Sequence, residues 1–241
     1  KEDRIIFCSD GIAQSGLGSD KYPLGWGRDN MEAYSLKLVQ DGPKISASDL
    51  ASKMVNMAHR NDGYISKDDT SCASIYFRQP RKLMIVTGPP YEEENDQKLG
   101  KSVKSFEGKK VVCGATTADI IARELGVEIE DSLVFEDPEL PPVSHMDGID
   151  LVTEGILTIT KVTRILKDYS TSYTLGKGPA DRIVKLVQQS DEIHFVIGTR
   201  VNIAHQDPNL PLDLEIRRTV VKRMARLLEE KFLKEVTIKY I

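Results

Sequence analysis

The run Val111-Val112-Cys113-Gly114-Ala115-Thr116-Thr117-Ala118-Asp119-Ile120-Ile121-Ala122-Arg123-Glu124-Leu125-Gly126 decides the fold class. Three apolar, β-prone residues end at a glycine, and a helix opens at once behind it. Thr116 or Thr117 can cap that helix, Ile120, Ile121 and Leu125 give it an apolar stripe, and Gly126 closes its last turn. The same grammar recurs on both sides. Leu83 to Val86 reads as a strand ending at Gly88-Pro89-Pro90, and Leu99, Val103 and Phe106 at i, i+4, i+7 predict a helix over about 95–107. Leu133-Val134-Phe135 reads as a short strand, 138–142 as a Pro-rich break, and Leu151, Val152, Ile156, Ile159 and Val162 predict one helix over about 149–168. Pro179 suits the first position of a helix over about 179–189. Ile193 to Ile197 is a strand ending at Gly198, 215–233 an amphipathic helix, and Val236 to Tyr240 a closing strand. Alternation of this kind implies an α/β domain, Rossmann-like in layout, with a mostly parallel sheet and helices on both faces.

Before Pro80 the pattern is different and reads as α+β. Arg4-Ile5-Ile6-Phe7-Cys8 is a short strand stopped by Ser9-Asp10-Gly11, and residues 14–30, rich in Gly and Pro, read as a loop. Ser46 or Ser48 caps a helix over about 48–59, with Leu50, Met54 and Met57 at helical spacing, and Ser71 to Phe77 alternates as a strand does. The division predicted is 1–81 and 82–241.

Composition narrows the class. Of 241 residues, 40% are hydrophobic and 29% charged, enough for a packed core and against wholesale disorder. The net charge of −4 argues against general electrostatic binding to nucleic acid or to an anionic membrane. No apolar run approaches the roughly 18 residues that would span a bilayer. Cys8, Cys72 and Cys113 are an odd number, each inside an apolar run, and read as buried thiols in a reducing, cytoplasmic setting. The first residue is Lys, directly before a strand-like run, so the chain is expected to start part-way through a domain.

The chemistry-bearing residues of the first part are carboxylates. Asp10-Gly11 stands at the exit of one strand, and Lys67-Asp68-Asp69-Thr70 at the entrance of another. If the two strands are antiparallel neighbours, exit and entrance share one end of the sheet and Asp10 and Asp68 converge. Converging carboxylates repel unless a cation lies between them, which suits a hard divalent metal. The plainer alternative is that Asp-Gly is a turn and Asp-Asp-Thr a polar strand entry.

Both elements, in this order and spacing, with a Gly-rich loop and a helix between them, resemble the C-terminal half of the PPM-type metal-dependent protein serine/threonine phosphatases, of the SpoIIE-like bacterial kind. The resemblance covers about the first 80 residues. It implies a β-sandwich flanked by helices, with two Mn²⁺ or Mg²⁺ ions and a bridging water that attacks phosphoserine or phosphothreonine in a partner protein. It implies Asp10, with Gly11, and Asp68 as metal ligands and catalytic residues, with Asp69 as a neighbour. The family also uses an upstream Gly-Asp-x-x-Gly element that this chain lacks before Asp10. Only part of the site is therefore expected here, with strand edges and apolar faces in 1–80 exposed or paired with another chain, in a homo-oligomer for example. Trp26, in the loop after Asp10, is expected either on a flap beside the active site or as the anchor of a surface loop.

For residues 82–241 the expectation is a regulatory, ligand-sensing or protein-interaction module, or an α/β enzyme in its own right. Three strands end in glycine, at Gly88, Gly114 and Gly198, and ligands of open parallel sheets sit at such carboxyl ends. Gly114, Thr116 and Thr117 before one helix, and Gly198, Thr199 and Arg200 with Asn202 and His205 in a long loop, are candidates for holding an anion or a nucleotide. The alternative is that the glycines turn the chain and the threonines cap a helix. Ser144 to Asp147 with Asp150 and Glu154 suggest either a metal site or, more simply, caps of the 149–168 helix with Asp150 and Glu154 enriching its first turns, and Lys161, Arg164 and Lys167 read as a solvated basic stripe.

Overall fold

The computed structural model describes residues 2–170, 172–200 and 212–241, with side chains from residue 216 onward in the last stretch. Its contacts divide between Gln79 and Pro80 into two units.

In the first unit, β1 (Asp3–Cys8) and β2 (Cys72–Phe77) form an antiparallel pair in which Ile5 faces Ile75 and Cys8 faces Cys72. Three helices lie between them in sequence: α1 (Asp10–Ala13), α2 (Gly27–Asp41) and α3 (Ala47–Asn61). The hydroxyl of Ser46 accepts from the Asp49 amide and starts α3, whose Leu50, Met54 and Ala58 are buried. Ile12, Trp26, Met54 and Ala58 form the core, with Cys8 and Cys72 packed against it from one face of the strand pair. Alternate residues of the pair, Ile5, Phe7, Ile75 and Phe77, lie exposed on the opposite face. The loop expected over 14–30 gives way to α2 at Gly27. No residue of α2 is fully buried, so its sequence carries no apolar stripe to announce it.

The second unit is α/β. Its sheet has seven strands in the order β5-β6-β7-β4-β3-β8-β9: β3 (Lys82–Thr87), β4 (Lys109–Cys113), β5 (Ile129–Asp131), β6 (Ser144–Met146), β7 (Ile149–Thr153), β8 (Glu192–Ile197) and β9 (Glu235–Tyr240). β7, β4, β3, β8 and β9 are parallel, and β5 and β6 add an antiparallel edge. Alternation along each strand feeds two cores. Ile85, Val111 and Phe195 face α6 (Ile156–Asp168), α7 (Pro179–Gln188) and α8 (Leu212–Glu230), while Val86, Val112 and Val196 face α4 (Asp96–Ser105) and α5 (Ala115–Leu125). Helices thus cover both faces, which the continuous apolar runs of the central strands require.

Two elements correct the sequence reading. The single helix expected over 149–168 is strand β7 followed by α6, with Glu154-Gly155 between them. Ile149, Leu151 and Val152 fit a buried strand and a helical stripe alike. The strand expected at Leu133–Phe135 is irregular, with Leu133 89% exposed; the strands there are β5 and β6. The expected solvated stripe on α6 is also different. Lys161 Nζ donates to both carboxylate oxygens of buried Asp137 at 2.8 and 2.7 Å and lies 2.8 Å from Glu139, which also receives Arg164 at 3.0 Å. These pairs tie the Pro-rich segment to the helix. Among the described residues no helix is long and apolar enough to cross a membrane.

Candidate functional site

In the first unit, pairing of Cys8 with Cys72 places the exit of β1 and the entrance of β2 at one end of the strand pair. The Ser9 amide donates to the Ser71 carbonyl at 3.0 Å, and the Ser9 hydroxyl to the Asp69 carbonyl at 3.0 Å. Gly11 lies against the second segment: a Cβ on it would be 2.5 Å from the Asp69 carbonyl oxygen and 3.4 Å from Asp68 Cβ. Asp10, Gly11, Asp68 and Asp69 therefore share one rim. All three carboxylates are exposed. Asp10 accepts from the Gly11 amide and Asp68 from the Asp69 amide, at 3.1 and 2.8 Å. No Lys or Arg pairs with any of the three among the described residues. The donor set, all oxygen, suits Mg²⁺ or Mn²⁺. Among the described residues it falls short of a complete ligand shell, since no cluster of three or more His, Cys, Asp or Glu is poised to hold an ion. Trp26 is 4% exposed and packs edge-on against Tyr34 at 5.6 Å, so its side chain anchors the loop.

In the second unit, a cleft of about 870 Å³ opens at the carboxyl ends of β3, β4 and β7. Gly114 and the first turn of α5 form one wall, Glu154 and Gly155 another, and Arg217 of α8 reaches in. Gly114 adopts φ +115°, a conformation side chains disfavour, and its amide donates to the Thr153 carbonyl at 2.8 Å. α5 has no side-chain cap. α6 does: the Glu154 carboxylate accepts from the amides of Leu157 and Thr158 at 3.1 and 3.4 Å. Cys113 also borders the cleft. Burial pushes its thiol up to about 12, against a hydrogen bond from Thr153 that lowers it, so at neutral pH it is protonated and a poor nucleophile.

Gly114, Thr116 and Thr117 thus lie on the cleft wall. Gly198, Thr199 and Arg200 do not. Gly198 packs on the backbone of Gly88 and Pro89, where a Cβ would be 2.1 Å from both carbonyl oxygens. Thr199 donates through amide and hydroxyl to the Ile241 carbonyl, and Arg200 Nε to that of Tyr91. Asn202 and His205 lie outside the described residues. Ser144 and Met146 belong to β6 rather than to a helix cap, and Asp150 accepts from Lys109 across the strands at 2.6 Å. Sequence reasoning missed Thr87 and Arg217; it put Glu154 at a helix start, as the structure does, but not on a cleft wall. Arg217 sits far along the chain in an ordinary amphipathic helix, where nothing marks it as facing a cleft.

Comparison with protein-family models, with curated proteins and with solved structures finds no match for this chain.

Proposed function

We propose that the first unit is part of a metal-dependent protein serine/threonine phosphatase, with Asp10 and Asp68 holding a divalent ion at the rim of β1 and β2. The observation that carries the reading is the meeting of Asp10-Gly11 and Asp68-Asp69 at one end of an antiparallel pair, as exposed carboxylates with no cationic partner among the described residues. A second feature supports it. The strand pair carries its helical core on one face and an apolar stripe of Ile5, Phe7, Ile75 and Phe77 on the other, as one layer of a sandwich does.

A bound Mn²⁺ or Mg²⁺ supplies an acidified water and neutralises charge on a phosphoryl group. The chain's own part is to fix the ligands. Pairing of Cys8 with Cys72 sets the spacing, the backbone amides of Gly11 and Asp69 orient the two carboxylates, and Gly11 leaves room for the Asp69 carbonyl. An exposed rim admits a phosphoserine or phosphothreonine on a protein surface. Two or three carboxylates are too few for two ions, so other residues must complete the site.

Mn²⁺ affinity, followed by electron paramagnetic resonance of the free ion, tests the reading. The chain is expected to bind Mn²⁺, and Asp10→Asn and Asp68→Asn each to weaken binding at least tenfold, about 1.4 kcal/mol. Equal affinity in all three proteins would contradict it.

A further inference from the structure

We infer that the cleft at the carboxyl ends of β3, β4 and β7 binds a small organic phosphomonoester, its phosphate seated on the first turn of α5. The inference is independent of the acidic rim.

Three observations converge on one spot. The amides of Ala115, Thr116 and Thr117 open α5 at the cleft wall with no side-chain cap, and a helix start of this kind favours an anion. Two hydroxyls lie beside them. Thr117 and Thr87 are each only 1% exposed, both border the cleft, and neither hydroxyl has a hydrogen-bond partner among the described residues. Each hydroxyl borders the cleft and can donate to a ligand oxygen there. The third is cationic. The Arg217 guanidinium reaches the same cleft over Gly88, with Nη1 2.7 Å from where a Cβ on that glycine would sit. Backbone amides, hydroxyls and a guanidinium are the donor set of a phosphate.

The remaining wall limits the ligand. Glu154 is engaged as the cap of α6, and Asp119 and Asp131 also line the cleft, so a polyphosphate, with its greater charge, meets more repulsion there than a single phosphate. β3 exits through Gly88-Pro89-Pro90, and proline has no amide proton to offer a pyrophosphate. The volume far exceeds a bare phosphate and lies within the range of small-molecule sites, roughly 300–1,000 Å³. Ile129, Pro141, Pro142, Val152 and Ile156 offer apolar surface for an organic body.

Thermal unfolding and titration calorimetry of the full chain test this with three probes: inorganic phosphate, a nucleoside monophosphate and a hexose monophosphate. Phosphate is expected to protect weakly, and at least one monoester to bind tenfold or more tightly than phosphate. Thr117→Val is expected to weaken that monoester at least tenfold while the unliganded melting temperature stays the same, since the hydroxyl it removes has no partner. Thr87→Val gives the same readout should the first variant fold poorly, and Arg217→Gln is expected to weaken phosphate and monoester alike. Asp10→Asn is expected to change none of these affinities. Absence of protection by all three probes would overturn the inference, as would monoesters binding no better than phosphate, or binding undiminished in the valine variants.

Discussion

Gly11 sits where a side chain has no room. Its position against the Asp69 carbonyl makes the glycine of the Asp-Gly pair a packing requirement. Gly11→Ala is expected to push the Asp68-Asp69 segment away, to destabilise the first unit by about 1–3 kcal/mol and to weaken Mn²⁺ binding. Trp26 is the sole tryptophan and belongs to that unit's core, so its fluorescence in a urea titration reports the loss directly. Cys113 carries a different prediction. Its thiol is pushed from an ordinary 9.0 up to about 12, burial being the largest cause. The folded chain therefore keeps a proton that the unfolded chain releases above pH 9. Stability from this group is intact below pH 9 and falls by up to about 1.4 kcal/mol per pH unit between pH 9 and 12. Cys113→Ser, compared with the parent in denaturant titrations at pH 8 and pH 10.5, is expected to show the smaller loss over that interval. At this scale the sequence disclosed the acidic rim, because both motifs flank readable strands. It did not disclose Arg217 or Thr87, because their meeting with Gly114 depends on which strands are neighbours in the sheet.

Among the elements, α6 shows how charge fixes a segment that has little structure of its own. Burial pushes the Asp137 carboxyl up, but the hydrogen bonds from Lys161 and from the Glu139 amide outweigh it and hold the group below its ordinary range. Its contribution is present above about pH 4 and is lost as pH falls through the lowered value. Lys161→Met leaves that buried carboxylate unpaired, and a loss of 3–5 kcal/mol is expected, about the usual cost of breaking such a pair. Circular dichroism during urea unfolding checks it, and Lys167→Met, whose ammonium pairs with no carboxylate among the described residues, is the control, expected within about ±0.5 kcal/mol. The misreading of 149–168 has a physical cause at the same scale. Ile149, Leu151 and Val152 satisfy two periodicities, and Gly155 is the one local signal that the chain changes from strand to helix. β3 and β4 were legible because each carries an unbroken apolar run, Leu83 to Val86 and Val111 to Cys113, that ends close to a glycine, and β8 because only His194 interrupts its apolar residues before Gly198.

At the scale of the molecule, the two units differ in how their sheets are held. β3, β4 and β8 each have a neighbour on both sides and helices on both faces, whereas among the described residues β1 and β2 pair only with each other and leave one apolar face open. Amide hydrogen exchange is expected to be slowest in those three strands and faster by orders of magnitude in β1 and β2; comparable protection in both sheets would show that the open face is covered in solution. The sequence separated these two regimes through the change of pattern at Pro80, and could not show strand order, which depends on packing across the whole second unit. The claim on which the functional account rests is that a divalent ion lands on the rim of the first sheet. Broadening of assigned amide resonances by substoichiometric Mn²⁺ tests it most directly. The account predicts selective loss of signal at Asp10, Gly11, Asp68 and Asp69, abolished in Asp10→Asn. Broadening centred elsewhere, or unchanged in that variant, would contradict it.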